Sequence, residues 1–98
     1  MYIMIRRYKT DSPTEVTRFA NEGFFPPIAD VAGLVAYCGI ESSEHSWASV
    51  SVFEMAAGVD EANRITAKSI KGNVGLARLL KARPEVVAGP VVAHLERP

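Results

Sequence analysis

The stretch from Leu34 to Glu54 restricts the fold of this chain more than any other. Leu34–Ile40 and Ser46–Glu54 are short runs of β-branched, aromatic and small residues, and the polar segment Glu41-Ser42-Ser43-Glu44-His45 joins them. Runs of that kind on either side of a polar loop read as a β-hairpin. A sheet must bury its oily side against something, so the flanking sequence has to supply cover. Upstream, Ser12-Pro13-Thr14-Glu15 has the form of a capping box, with Ser as N-cap, Pro at the first helical position and Glu three residues after the cap. Val16, Phe19, Ala20 and then Gly23 or Phe24 recur at helical spacing, which predicts a first helix from about Pro13 to about Phe24. Pro26 and Pro27 are expected to kink or end it, with one further turn around Ile28–Val31 before Gly33. Downstream of Gly58 a second helix is expected, with Asp60 and Glu61 in its first turn and Ala62, Ile65, Ser69, Ile70 and Val74 on one face. Lys68 and Lys71 lie further along, in keeping with the helix dipole. Gly72 and Gly75 predict a loosened or broken segment before Leu76–Lys81, and Pro84 stops the helix. Outside the helices lie two more strand-like runs, Tyr2–Tyr8 and Val86–Glu96, the latter with Gly89-Pro90 as a bulge or edge irregularity.

The order is therefore βαββαβ, the ferredoxin-like α+β arrangement: a four-stranded antiparallel sheet with two helices on one face. With 98 residues, 48% of them apolar, there is material for one core and no room for a second, so residues 1–98 are expected to form a single domain. Apolar stretches are interrupted well before the roughly 18 residues of a membrane span, and the basic pair Arg6-Arg7 follows the first apolar run, inverting the order of a secretory signal. A cytoplasmic location and no membrane partner are expected. Eleven basic residues balance eleven acidic ones, which argues against a nucleic-acid partner. Cys38 is the only cysteine, and with His45 and His94 as the only histidines no metal site is expected.

Alternation divides the strands into two faces. A symmetric turn near Ser43 places Leu34, Ala36 and Cys38 beside Ala48, Val50 and Val52, and Ile3, Ile5, Val91, Ala93 and Leu95 join that uniformly apolar set. The opposite face mixes rings, hydroxyls and charge: Tyr2, Met4, Arg6, Tyr8, Val35, Tyr37, Gly39, Trp47, Ser49, Ser51, Phe53, Val92, His94 and Glu96. The apolar face is expected to lie under the helices, with Cys38 as an inert packed thiol. The mixed face then has no cover within the chain, and so large an aromatic patch predicts a homodimer through that face of the sheet.

The chain resembles the dimeric α/β-barrel superfamily, near the antibiotic biosynthesis monooxygenase family. The residues that carry the resemblance are Ala32-Gly33-Leu34-Val35-Ala36-Tyr37, Ser49-Val50-Ser51-Val52-Phe53-Glu54 and Pro84-Glu85-Val86-Val87-Ala88-Gly89-Pro90-Val91. These are structural motifs marking turns and sheet edges, and they span nearly the whole chain. The resemblance implies two sheets meeting in a dimeric barrel, helices outside, and a pocket for a small organic ligand in each protomer. Some relatives oxidise polycyclic aromatic substrates with molecular oxygen and no cofactor, so no cofactor is implied. Haem-degrading relatives use an early Asn with a Trp and a His of the second helix; this chain has no Asn before Asn21 and neither Trp nor His in that helix, so their constellation is not carried over.

Candidate residues come mainly from the mixed face. His94 and Tyr37 are the catalytic candidates, His94 as base or donor toward a ligand near Tyr37 or Trp47. Tyr37, Trp47, Tyr8 and Arg6, together with His94, are the candidate ligand-binding residues, Arg6 as an anion or cation–π partner; their alternative role is interface filler. Phe19, Phe24 and Phe25 offer a rival pocket or, at helical spacing, core. The glycines of Ile70-Lys71-Gly72-Asn73-Val74-Gly75 match the spacing of a phosphate-approaching loop, against which the balanced charge and strand order argue. Two functions stay open: a cofactor-independent monooxygenase-like enzyme acting on a small aromatic or polyketide-like substrate, and a non-catalytic metabolite-binding or accessory dimerisation module.

Overall fold

The computed structural model describes residues 1–97, apart from the Phe24 side chain. It comprises β1 (Tyr2–Lys9), α1 (Pro13–Phe19), α2 (Phe25–Ala29), β2 (Leu34–Ser43), β3 (Ser46–Phe53), α3 (Ala56–Lys71), α4 (Val74–Leu79) and β4 (Glu85–Pro90). The strands form one antiparallel sheet in the order β2-β3-β1-β4, with the helices packed on one side. This is the ferredoxin-like α+β fold that the element order predicts. Among the described residues no helix is long and apolar enough to cross a membrane.

Two helix boundaries differ from expectation. The Ser12 side chain makes no cap bond; its N–H donates to Thr10 Oγ1 at 3.1 Å, and Glu15 pairs with Arg18 at 2.9 Å instead of reaching back. Pro26 and Pro27 do not end the first helix. A single π-helical turn, Ala20–Phe24, carries α1 into α2, with the Phe25 N–H donating to the Ala20 carbonyl. The wider i→i+5 turn spaces the backbone where the two prolines withdraw N–H donors. The second helix starts at Ala56, before Gly58, and Gly58 lies against Phe53, where a Cβ would come within 2.7 Å of the ring. It breaks at Gly72-Asn73 as the glycines predict, and Asn73 Oδ1 accepts the Leu76 N–H at 3.1 Å to cap α4. A Cβ at Gly75 would lie 3.0 Å from the Phe19 ring, so a side chain there would press on Phe19.

The expected grouping of side chains into two faces is correct for β1, β3 and most of β2, but the covered face is the opposite one. Met4, Arg6, Tyr8, Trp47, Ser49, Ser51 and Phe53 are buried beneath the helices. Ile40, Cys38 and Val87 lie exposed on the other face, where Ile3, Ile5, Val50 and Val52 are only half-buried. Cys38 is thus not a packed core thiol. The large rings have the most area to remove from water, and the helices supply that cover. The hairpin register also moves: Ala36 pairs with Val52 and Cys38 with Val50, two residues from the symmetric expectation, which preserves the face assignment. An irregularity between Leu34 and Ala36 turns Leu34 toward the helices and leaves Val35 exposed.

The last strand is shorter than expected. It ends at Pro90, paired with Tyr2, and the Met1 carbonyl accepts the Val91 N–H at 2.8 Å. Residues 91–97 leave the ladder, with Val92 and Leu95 almost fully exposed.

Candidate functional site between sheet and helices

The interior is two apolar clusters with a polar band between them. Met4, Phe53, Ile28, Val31, Val59 and Ala62 form one cluster; Tyr8, Trp47, Val16, Ala20 and Leu76 form the other. Along β1 the residue between Met4 and Tyr8 on the same face is Arg6, and it sits opposite Ser49 of β3. Arg6 is only 7% exposed. Its Nε donates to the Tyr8 hydroxyl at 2.9 Å, its guanidinium carbon stands 5.8 Å from the Tyr8 ring centre, and its Nη1 donates to Asn63 Oδ1 on α3. Thr66, one helical turn beyond Asn63, is buried as well. Ser49 Oγ and Thr66 Oγ1 have no hydrogen-bond partner among the described residues. Buried hydroxyls are nearly always paired, so two orphans beside a buried guanidinium distinguish this band from ordinary core.

Tyr37 borders the same band from β2, opposite Ser51. Burial pushes its hydroxyl up to about 12, with Ser49 and Arg6 working in the opposite direction and Tyr8 adding to the rise. Ser49 Oγ lies near that hydroxyl without forming a hydrogen bond of normal geometry. Tyr37 is therefore a protonated donor at neutral pH and a poor general base. Phe25 of α2 roofs it edge-on, the ring centres 5.0 Å apart. Tyr8 is likewise raised, chiefly by burial and against the pull of Arg6.

The other sequence-derived candidates fall elsewhere. Trp47 packs in the second apolar cluster, 6.1 Å from the Tyr8 ring centre, and its Nε1 donates to Thr17 Oγ1 at 3.0 Å. His94 is the clear correction: it lies in the segment after β4, its side chain 65% exposed and 3.9 Å from Glu96. It lines a cavity of about 460 Å³ on the open sheet face with Ile3 and Val52, the opposite side of the sheet from Tyr37 and Trp47. Phe19 and Phe25 pack against the Tyr8–Trp47 cluster and form no separate pocket; the Phe24 side chain lies outside the described residues. A second cleft of about 460 Å³ opens between the π turn and α3, lined by Gly23, Pro27, Arg64, Ile65, Lys68 and Ser69. Ile65 connects it to the interior, since it also packs on the Met4–Phe53 cluster.

Asn63, Ser49 and Thr66 are the site residues that sequence reasoning missed. Val59, Ala62 and Thr66 mark the inward stripe of α3, so a polar residue at the spacing of that stripe was the available signal.

No protein-family model matches the sequence, and no curated protein does. Solved structures do match, over nearly the whole chain. A monooxygenase from the gene ActVA-Orf6 of Streptomyces coelicolor, in complex with the ligand nanaomycin D, is 17% identical with a TM-score of 0.73, covering 98% of this chain and 92% of that one. SnoaB, a cofactor-independent oxygenase from Streptomyces nogalater, solved as a mutant, is 18% identical with a TM-score of 0.68, covering 98% and 97%. A dimeric ferredoxin-like protein from an uncultured marine organism is 16% identical with a TM-score of 0.65, covering 99% and 100%. Proteins of unknown function share the shape too. The chain thus has the ferredoxin-like fold of antibiotic biosynthesis monooxygenase-like proteins, and fold by itself does not assign chemistry.

Proposed function

We propose that this protein is a homodimeric, small-molecule-binding α/β-barrel enzyme of the cofactor-independent monooxygenase kind, acting on a small aromatic or polyketide-like substrate. The observation that carries the reading is the polar band of Arg6, Tyr8, Asn63, Ser49 and Thr66 enclosed between two apolar clusters. A few convergent polar groups inside apolar walls are what an orienting small-molecule site requires. The ligand enters from the cleft beside Ile65, and Tyr37 donates a hydrogen bond to one of its oxygens. Support for oxygenation comes from the two Streptomyces enzymes of the same fold.

The homodimer uses the open apolar face and not the ring-bearing face expected from the sequence, which the helices cover; there Ile3, Ile5, Ala36, Val50 and Val52 present a surface that the chain's own helices leave bare. The dimeric protein of the same fold supports this arrangement.

A non-catalytic metabolite-binding module is the second reading. It is favoured by one observation: of the cavities found among the described residues, one reaches the polar band, and only at Tyr8, while the others are lined by residues outside it. Oxygen consumption separates the two. With naphthols and hydroquinones as substrates and no added cofactor, the enzyme reading expects saturable uptake that Asn63→Ala and Tyr37→Phe both reduce by about ten- to a hundredfold. Saturable binding of the same compounds without uptake establishes the second reading instead.

A further inference from the structure

We propose that Arg6 is the anion-recognition element of the interlayer site, so that the ligand held there carries one planar, delocalised oxyanion on a flat apolar body. A carboxylate, phenolate or enolate meets that description. The inference rests on the reading of the polar band as a small-molecule site and adds the charge of its ligand.

Arginine keeps its charge at any pH a protein survives, and a buried charge is costly unless paired. Among the described residues Arg6 has no carboxylate within 4.0 Å; the ion pairs of the molecule belong to Arg7, Arg18, His45, Arg64, Lys81 and His94, all on the surface. Its two partners, the Tyr8 hydroxyl and Asn63 Oδ1, are neutral. The two orphaned hydroxyls come from different elements. Ser49 stands across the ladder from Arg6, Thr66 sits one turn from Asn63 on α3, and both are 1% exposed.

One oxyanion supplies what all three groups lack, a counter-charge for the guanidinium and an acceptor for both hydroxyls. The planar fork of arginine matches the two oxygens of a carboxylate, or the single oxygen of a phenolate or enolate. Among the described residues no second cation is buried, which disfavours phosphate esters and other dianions. The apolar clusters on either side require the remainder of the ligand to be apolar, and the aromatic rings among them suit a flat body.

The test is equilibrium titration of the full chain at neutral pH with 2-naphthoate and its uncharged counterpart 2-naphthamide, followed by calorimetry and by the fluorescence of Trp47, the only tryptophan. Naphthoate should bind at least about tenfold tighter than the amide, as a charge-assisted contact predicts. Arg6→Met should erase that difference, and Arg6→Lys should keep part of it. Thr66→Val preserves shape and removes an unpaired hydroxyl, so it should raise Tm yet weaken naphthoate binding; a purely structural Thr66 would only raise Tm. Equal binding of the two probes, a preference that survives Arg6→Met, or no saturable binding of either overturns the proposal. If Arg6→Met does not fold, the wild-type preference and Thr66→Val decide it. Oxygen uptake is a separate reading: anion preference without uptake removes the oxygenase function and leaves the anion site, and uptake without anion preference does the reverse.

Discussion

At the scale of single residues, the buried tyrosines make the interior testable. Burial holds Tyr37 at about 12 and raises Tyr8, both above the roughly 10 of an unfolded chain. The folded state then keeps protons that the unfolded state has released. The stability contributed by Tyr37 is complete below pH of about 10 and is lost as pH climbs from about 10 toward 12. We expect tyrosinate absorbance to develop late, in step with unfolding, and Tyr37→Phe to flatten the alkaline decline; a Tyr37 that ionises normally in the folded protein would contradict this. Arg6, Tyr8 and Tyr37 were legible in the sequence because strand alternation puts them on one face. Ser49, Asn63 and Thr66 were not, because serine in a strand and small polar residues in a helix are unremarkable until packing leaves a hydroxyl without a partner.

At the scale of elements, α1 is tied to the hairpin through Thr17. Its hydroxyl accepts from Trp47 Nε1 at 3.0 Å and lies 2.9 Å from Glu41 Oε2, while Thr14 donates to the other oxygen of Glu41 at 3.0 Å. The indole N–H belongs to a buried ring, so Thr17→Val should destabilise the fold by about 1–2 kcal/mol in urea denaturation. Glu41→Ala removes only an exposed partner and should cost less than about 0.5 kcal/mol; equal costs would show that the indole bond carries no special weight. The helices were legible from their spacing, and the Gly72 break from its glycines. The π turn was not. Pro26 and Pro27 announce that a regular helix must yield, but whether it stops or widens depends on whether packing at Phe25 and Ile28 holds the next turn in place.

At the scale of the whole molecule, the open sheet face is where the proposed homodimer would form. Val50 and Val52 lie on it in β3, between β1 and β2. Val50→Asp should leave the fold intact by circular dichroism and sediment as a single protomer where the wild type sediments as a dimer. A variant that stays dimeric would place the contact elsewhere. Cys38 and His94 belong to this face and not to the interlayer site.

The sequence by itself determined the order of elements, the four-stranded sheet and which side chains travel together along each strand. Alternation of period two does that and nothing more: it sorts residues into two sets and does not say which set the helices cover. The packing of the helices over the bulk of Trp47, Phe53, Tyr8 and Met4 settled that only in three dimensions. With it came the feature no pattern along the chain discloses, a guanidinium between two apolar clusters with no carboxylate of the described residues within 4.0 Å.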